Sequence, residues 1–214
     1  MSWLSNLFNK KKTPEFLPEE QAKSKIKWEG FDYFEKGGNC YYSRQTTEAL
    51  LYLDKAFEFG FEENFPSDAS TLYDLRAACL QELEFHYDAI ADFDRSISLE
   101  PNDCNKFFSR SISKGAVLDF EGEIADLEKA IQLSKIDNAL NREYNDEALK
   151  QGYKNGAAEM FKMRFIMAKM NLDSEIRNRE QVEKATTPKD KEFWQKMNDE
   201  RKEKMLSRIK RRNV

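Results

Sequence analysis

The side chains that most often carry out chemistry are few in this sequence and form no constellation. There is a single histidine, His86, and the three cysteines, Cys40, Cys79 and Cys104, include no Cys-x-x-Cys pair. These residues cannot supply a typical zinc site. There is also no glycine-rich phosphate loop and no motif around a serine or cysteine. We therefore predict no enzyme, no metal and no cofactor, and we interpret His86 and the cysteines as packing residues in a reducing compartment.

The distribution of charge is more informative than the net charge of −4. Residues 30–137 contain 10 Lys and Arg against 22 Asp and Glu, whereas both ends of the chain carry more basic than acidic residues. Two interpretations stay open. The acidic residues either solvate helix exteriors, or they bias a binding groove toward cationic partners.

The sequence shows no sign of a membrane span or a secretory signal. No window approaches about 18 consecutive apolar residues, the length at which a transmembrane helix becomes a candidate. The amino terminus lacks the small-residue cleavage site of a signal peptide. We expect a cytoplasmic protein.

The elements that hold these residues follow from a pattern that repeats after thirty-four residues. Residues 89–93, Ala-Ile-Ala-Asp-Phe, align without a gap with residues 123–127, Glu-Ile-Ala-Asp-Leu. A unit of this length, built as helix, turn and helix, resembles the tetratricopeptide repeat. In that family small residues let the two helices approach and large residues fill the space between units. The unit 70–103 matches the family pattern at all of its marked positions, with Tyr73, Ala77, Ala89, Phe93, Ser96 and Pro101.

Two further units, 30–63 and 104–137, are more loosely similar to the family. The later unit has Glu123 at a small position and Lys135 in place of the proline. Extra residues within 60–69 separate the first unit from the second, and insertions between repeats map to loops. After residue 137 the register is lost, so we predict a polar connection there.

The resemblance implies an all-α, right-handed α-solenoid of about three helix pairs, closed by C-terminal capping helices. We assign the parts of the chain outside the three repeats as follows: 1–12, a short amphipathic segment; 13–29, a linker and lead-in helix; 138–172, a connection and a Met-rich capping helix; and 173–214, a charged C-terminal helix that begins after the cap Thr187.

The Met-rich helix is predicted from about residue 146 to residue 172. Its apolar seam alternates three and four residues and comprises Tyr153, Gly156, Met160, Met163, Met167 and Met170. We predict that this seam covers the last repeat. The alternative is an adaptable methionine surface for binding.

The resemblance also implies a function, because stacked repeats present the first helix of each unit, helix A, on a concave groove. The groove residues carried over from the family positions are Phe31, Phe34, Tyr41, Tyr42, Asp74, Leu75, Ala78, Glu82, Phe108 and Ile112. Such a groove is aromatic and apolar with an acidic rim. We predict a non-enzymatic protein–protein interaction scaffold or adaptor whose partner is a peptide or helix of another protein, apolar with basic flanks, and no small-molecule substrate.

One subclass of the family grips the C-terminal carboxylate of heat-shock chaperones with lysine, arginine and asparagine side chains. At the five clamp positions this sequence has Phe34, Gly38, Leu75, Asn105 and Ser109. No cation remains to bind the anion. The sequence therefore argues against a chaperone carboxylate clamp.

The first twelve residues have the composition of a short interfacial segment. Trp3, Leu4, Leu7 and Phe8 share one helical face, and Lys10, Lys11 and Lys12 follow directly. Such a segment binds an anionic membrane surface weakly and reversibly. The alternatives are docking on a protein surface and a disordered end.

The basic end of the chain suggests a second class of function. Residues 201–212 hold seven Lys and Arg against Glu203 alone, which could serve a nucleic-acid-associated protein. Interleaved aromatic residues are missing, however, and an acidic solenoid repels phosphate. We therefore prefer the scaffold over nucleic-acid binding.

Overall fold

The computed structural model describes the backbone of residues 18–212 and the side chains of residues 23–212. The helices in this part of the chain are α1 (Pro18–Tyr42), α2 (Thr46–Glu58), α3 (Phe61–Asn64), α4 (Ala69–Glu82), α5 (His86–Leu99), α6 (Cys104–Ala116), α7 (Phe120–Leu133), α8 (Ala139–Lys150), α9 (Ala157–Lys184) and α10 (Pro188–Leu206). No strand occurs within residues 18–212, so the predicted all-α class is confirmed.

Helices α1 to α7, apart from the short α3, form three stacked pairs. Helix α1 packs with α2, α4 with α5, and α6 with α7, while α2 also contacts α4 and α5 contacts α6. In the second pair Ala77, Ala89 and Phe93 are each 0% exposed. These are the small and large positions of the repeat pattern, and their burial explains why the pattern predicts the pairing.

The same tight turn joins the two helices of each pair. The equivalent residues Arg44, Glu84 and Leu118 adopt a left-handed backbone, with φ of 63°, 68° and 67°. In each turn the next amide donates to the carbonyl five residues earlier, for example Phe85 to Leu80 at 2.8 Å. This hydrogen bond satisfies a carbonyl at the end of the first helix. The repeat is therefore visible in the backbone itself.

A fourth turn of this kind lies at Gly152, thirty-four residues after Leu118, where φ is 96°. The amide of Tyr153 donates to the carbonyl of Ala148 at 3.0 Å, as in the other three turns. Ala157 and Phe161 then take the small and aromatic positions of a unit 138–171, and both are 0% exposed. Helices α8 and α9 thus form a fourth, looser pair. The predicted loss of register and polar connection after residue 137 are wrong.

The fourth unit is difficult to recognise in the sequence because two asparagines replace its bulky and small residues. Asn141 is 0% exposed and donates to the carbonyls of Leu133 and Ile136 at 2.9 and 3.1 Å. Asn145 accepts from the amide of Ala157 at 3.0 Å. These hydrogen bonds join the helices of the fourth unit where apolar side chains join them in the other units. A pattern of hydrophobic residues therefore does not predict this unit.

The Met-rich seam covers the stack only at its amino-terminal end, where Tyr153 and Met160 pack against the core around Phe161. Phe161 and Ala168 are the buried side chains on this part of α9, whereas Met163, Met167 and Met170 are 55%, 59% and 64% exposed. Only Met160 of these methionines packs against the core around Phe161. Beyond Met160, the predicted seam and the buried side chains lie on neighbouring faces of α9. Apolar residues occur on both faces, so the sequence did not distinguish them.

Helix α10 returns along α9 after the turn at residues 185–187. The Thr187 side chain accepts from the amide of Asp190 at 3.2 Å, which confirms the predicted cap. The two helices are antiparallel, since Asn198 donates to the carbonyl of Asn178 at 2.9 Å while Lys202 reaches Glu175. Helix α10 has no buried residue. We refer to residues 173–206 as the arm and to helices α1 to α7 as the stack.

Candidate partner-binding groove

Two of the four aromatic residues predicted for the first unit of the groove, Phe31 and Phe34, contact the chain's own insertion. The insertion contains the single-turn helix α3, whose Phe61 is 0% exposed. Its ring centroid lies 4.5 Å from that of Phe34 and 6.3 Å from that of Phe31. Phe31 and Phe34 are half-buried in this cluster. This end of the predicted groove is therefore already packed.

The groove surface of helix α6 is also covered by another part of the chain. The rings of Phe108 and Phe161 lie 4.6 Å apart, so the first turns of α9 cover Phe108. Ile112, one turn further along α6, is half-buried. The predicted groove is left open mainly between the two filled ends.

The middle of the predicted groove contains two tyrosines from the end of α1. The rings of Tyr41 and Tyr42 pack edge to face at 5.6 Å. Tyr42 is 77% exposed. Burial, followed by the charge of Glu82 and with a smaller effect of Asp74, raises the pKa of Tyr41 to about 12. Tyr41 and both carboxylates therefore lie in one electrostatic neighbourhood.

Asp74 on α4 is the most unusual charged group of this region. Its Oδ1 atom is buried and accepts no hydrogen bond from the described residues. Burial raises the pKa of Asp74 to about 6, with the charge of Lys106 opposing and those of Asp103 and Glu100 adding to the increase. A buried carboxylate without a donor is costly. Burial therefore opposes the ionisation of Asp74, and no donor from the described residues compensates it at Oδ1.

The other predicted residues of α4 differ in exposure. Leu75 is 8% exposed and Ala78 is half-buried. Glu82 is exposed, accepts from the Thr46 hydroxyl at 2.6 Å and lies 3.9 Å from Arg44. A carboxylate at the rim with only one close donor keeps capacity for a further cation.

One neighbour of Asp74 was missed by the sequence analysis. Tyr144 belongs to α8, and burial, followed by the charges of Asp103 and Asp74, raises its pKa. Its proximity follows from the fourth repeat unit, whose turn at Gly152 was the available signal. Tyr144 of α8 therefore lies within electrostatic range of Asp74.

Of the residues assigned to packing, His86, Cys79 and Cys104 lie in the interior as predicted, whereas Cys40 is only half-buried. His86 is 6% exposed and lies 3.2 Å from the Ser113 hydroxyl and 3.0 Å from Glu84. Cys79 and Cys104 are free and fully buried, and burial raises the pKa of each thiol to about 12. Thiols of this kind are unreactive.

Residues 18–212 show neither a metal-ligand cluster nor a helix able to span a membrane. This part of the chain holds no group of three or more His, Cys, Asp or Glu side chains arranged for a metal ion. None of its helices combines the length and apolar character that a membrane crossing needs. The predicted interfacial segment, residues 1–12, lies outside the described residues.

Five of the seven basic residues within 201–212 have acidic or aromatic partners within the chain. Arg201 and Lys202 contact Glu175 at 3.2 and 2.7 Å. Arg212 contacts Asp54 at 2.5 Å. Phosphate groups would have to compete with these contacts, which reduces the support for nucleic-acid binding.

Solved structures similar to this chain include two tetratricopeptide-repeat domains. The "Arabidopsis OM64 TPR domain" is 19% identical, with 55% of this chain and 91% of that chain covered at a TM-score of 0.45. The "First TPR of Spaghetti (RPAP3) bound to HSP90 peptide SRMEEVD" is 17% identical, with 58% and 94% covered at a TM-score of 0.44. No protein-family model and no curated protein matches the chain. The predicted tetratricopeptide-like repeat is confirmed by the four equivalent turns.

Proposed function

We propose that the chain is a non-enzymatic scaffold or adaptor that holds a peptide or helix of another protein along helices α1, α4 and α6. The observation that supports this proposal best is the buried Oδ1 of Asp74, which lacks a hydrogen-bond donor. Oδ1 itself is screened from solvent, so a lysine or arginine of a partner would act on this carboxylate through its charge. An opposite charge nearby would favour the ionised form.

The expected ligand contacts are narrower than the sequence alone predicted. Phe34 and Phe108 already pack on Phe61 and Phe161. Apolar anchors of the partner therefore meet Tyr41, Tyr42, Ala78 and Ile112, while its basic flank meets Asp74 and Glu82.

The test begins with the full chain as bait in a lysate of its native cell. A captured protein is identified by mass spectrometry and reduced to a binding peptide. The affinity of that peptide is then measured by calorimetry for the wild type, Asp74→Asn, Tyr42→Ala and the control Glu128→Gln, whose carboxylate is exposed on α7. We expect at least a tenfold loss for Asp74→Asn and for Tyr42→Ala and none for the control. Unchanged affinity in both groove variants would contradict the proposal.

The pH dependence gives a second reading of the same experiment. Because the pKa of Asp74 is about 6, the carboxylate gains its charge between roughly pH 5 and pH 7. A cationic peptide should therefore bind more tightly as the pH rises through this range. Asp74→Asn should remove that dependence.

The amino-terminal segment supports a more specific form of the proposal, a scaffold in the cytoplasm that is held weakly at a membrane surface. Trp3 and Phe8 with Lys10, Lys11 and Lys12 provide apolar and cationic contacts for an anionic bilayer. Sedimentation with anionic vesicles tests it. The full chain should bind weakly and in a salt-sensitive manner, and removal of residues 1–12 should abolish binding. Equal sedimentation of both proteins, or of neither, would contradict it.

A further inference from the structure

The second and third repeat units contain the same ion-pair arrangement, so the two copies can be compared with each other. Arg76 holds Asp92 through hydrogen bonds of 2.6 and 2.7 Å. Thirty-four residues later, Arg110 holds Asp126 through bonds of 2.8 and 2.6 Å. Each arginine also faces an aspartate from the helix B, or second helix, of the preceding unit. The same sequence pattern therefore builds the same pair twice.

The aspartate from the preceding unit behaves differently in the two copies. Arg110 contacts Asp94 at 2.5 Å. The equivalent distance from Arg76 to Asp54 is 3.5 Å. Asp54 instead forms two hydrogen bonds with Arg212, at 3.2 and 2.5 Å. The carboxylate of the first copy is thus paired mainly with the C-terminal end of the chain.

The neighbours of Arg212 also contact the stack. The amide of Lys210 donates to the carbonyl of Glu84 at 2.9 Å, and its Nζ lies 5.7 Å from the centre of the Phe85 ring. The guanidinium of Arg211 lies 4.5 Å from the centre of the Tyr87 ring. These distances are those of cation–π contacts. Three consecutive basic residues therefore have three separate partners.

The receiving surface is specific to the second unit. Phe85 and Tyr87 occupy positions that hold Asp119 and Glu121 in the third unit. An arginine at those positions would find carboxylates but no aromatic face. Of the second and third units, only the second has both the two aromatic rings and an aspartate of the preceding unit that is not closely paired with the unit's own arginine.

We propose that Asp54, Glu84, Phe85 and Tyr87 form a binding site for an extended basic segment, and that residues 208–212 of the same chain occupy it. This site is separate from the groove proposed above. The ligand it takes has two or three adjacent basic residues, of which the last pairs bidentately with Asp54. The tether keeps the chain's own segment at a high effective concentration, so a similar segment of another molecule binds only in competition with it.

The segment also borders the stack before it reaches this site. Arg208 and Ile209 line a cleft of about 400 Å³ together with Gly115 and Ala116 at the end of α6. The basic segment therefore runs as a strap from the third unit to the first. Release of Arg212 from Asp54 would free the strap without opening the helix pairs.

The test uses full-length protein in which the site has been emptied. In the opened variant, Arg211→Gln is combined with Arg212→Gln. The probe is a fluorescein-labelled peptide of residues 204–212, and its affinity is measured by anisotropy. We expect at least tenfold tighter binding to the opened variant than to the wild type. Equal affinity would overturn the proposal that the segment occupies the site in cis.

Two matched aspartate variants test where the peptide binds. Asp54→Asn in the opened variant should reduce affinity at least tenfold, whereas Asp94→Asn, the equivalent residue of the next unit, should change it less than twofold. Equal effects of both, or equal binding of a scrambled peptide of the same charge, would show non-specific attraction and overturn the site.

Hydrogen exchange gives a readout that does not depend on the peptide. The amide of Lys210 should exchange slowly in the wild type, because it donates to Glu84. It should exchange at the rate of a free amide in Asp54→Asn and stay protected in Asp94→Asn. Free exchange in the wild type would contradict the strap. Circular dichroism confirms that each variant retains its helices.

Discussion

The stack and the arm are both helical, but different forces hold them. The stack buries apolar side chains such as Leu53, Phe93 and Leu127, each 0% exposed. Within the arm, residues 173–206, the one buried side chain is Glu175. It is surrounded by the cations of Arg179, Arg201 and Lys202 at 3.3, 3.2 and 2.7 Å. A packed hydrophobic core stabilises the stack, whereas in the arm a single buried carboxylate holds the two helices together through ion pairs.

This difference has physical consequences. Apolar burial is not screened by salt, while partly exposed ion pairs are screened by it and depend on the protonation of the carboxylate. The stack should therefore unfold as a unit, and the arm should detach under conditions that leave the stack intact.

The largest expected effect compares two phenylalanines. Phe93 is 0% exposed in the stack, whereas Phe193 is 56% exposed in the arm. Phe93→Ala leaves a cavity and should lower the free energy of unfolding by about 3 to 5 kcal/mol. Phe193→Ala should lower it by about 0.5 kcal/mol or less. Urea denaturation followed by circular dichroism measures both, and similar losses would contradict the distinction.

The sequence predicted the stack well because its packing positions are read directly from residue size. Ala77, Ala89 and Phe93 have the same role in the pattern and in the structure. Residue size did not predict the fourth unit, because Asn141 and Asn145 take its packing positions and make hydrogen bonds with specific backbone groups instead. Such partners are known only once the fold is known, whereas Gly152, Ala157 and Phe161 were legible in the sequence.

The predicted groove shows a second limit of prediction from the sequence. Repeat register assigned Tyr41, Asp74 and Phe108 to one groove, but it cannot tell which positions the chain itself will fill. Phe61 comes from an insertion and Phe161 from a unit that the register missed. The pair Arg212–Asp54 joins residues 158 apart in the sequence, and no local pattern specifies such a contact.

The joint between the fourth unit and the stack provides the second prediction. Glu123 is 1% exposed, and Arg164 on α9 donates to it at 2.6 Å. Burial raises the pKa of Glu123, while Arg164 opposes that increase. Arg164→Met should cost about 1 to 3 kcal/mol at pH 7, because it leaves a buried charge without its partner.

The pH dependence identifies the cause of that loss. A raised pKa means that Glu123 contributes stability below its ordinary pKa and loses that contribution as the pH rises through the folded value. Without Arg164 the loss at neutral pH is larger, so the effect of Arg164→Met should shrink between pH 7 and pH 5. Lys162→Met, an exposed change on the same helix, is the control. An equal effect at both pH values would contradict the role of Glu123.

A third, smaller effect should be stabilising. Asp74 has a pKa of about 6, raised mainly by burial, so ionisation opposes folding as the pH rises from about 4 to 7. Asp74→Asn should raise the free energy of unfolding by about 1 to 3 kcal/mol at pH 7. The gain should vanish near pH 4, where the wild-type carboxyl is protonated. Glu128→Gln is the control, and destabilisation by Asp74→Asn at pH 7 would contradict an unpaired carboxylate.

The smallest effect on global stability should come from Glu175, because it holds the arm rather than the stack. Burial opposes its ionisation, but hydrogen bonds from Lys202 and Arg179 outweigh burial and lower its pKa. Its contribution is therefore present above the ordinary value of about 4.3 and is lost as the pH falls through the lower folded value. Glu175→Gln should change the free energy of unfolding by about 1 kcal/mol or less.

The same substitution should nevertheless free the arm, and hydrogen exchange of α10 measures this directly. Amides of residues 191–206 should exchange faster in Glu175→Gln, and faster in the wild type at high salt, while amides of α4 to α7 keep their protection. Glu180→Gln is the matched control, since Glu180 pairs only with Lys184 on its own helix, at 2.6 Å. Unchanged exchange in α10 would mean that contacts other than Glu175 hold the arm. In that case charge would not be what distinguishes the arm from the stack.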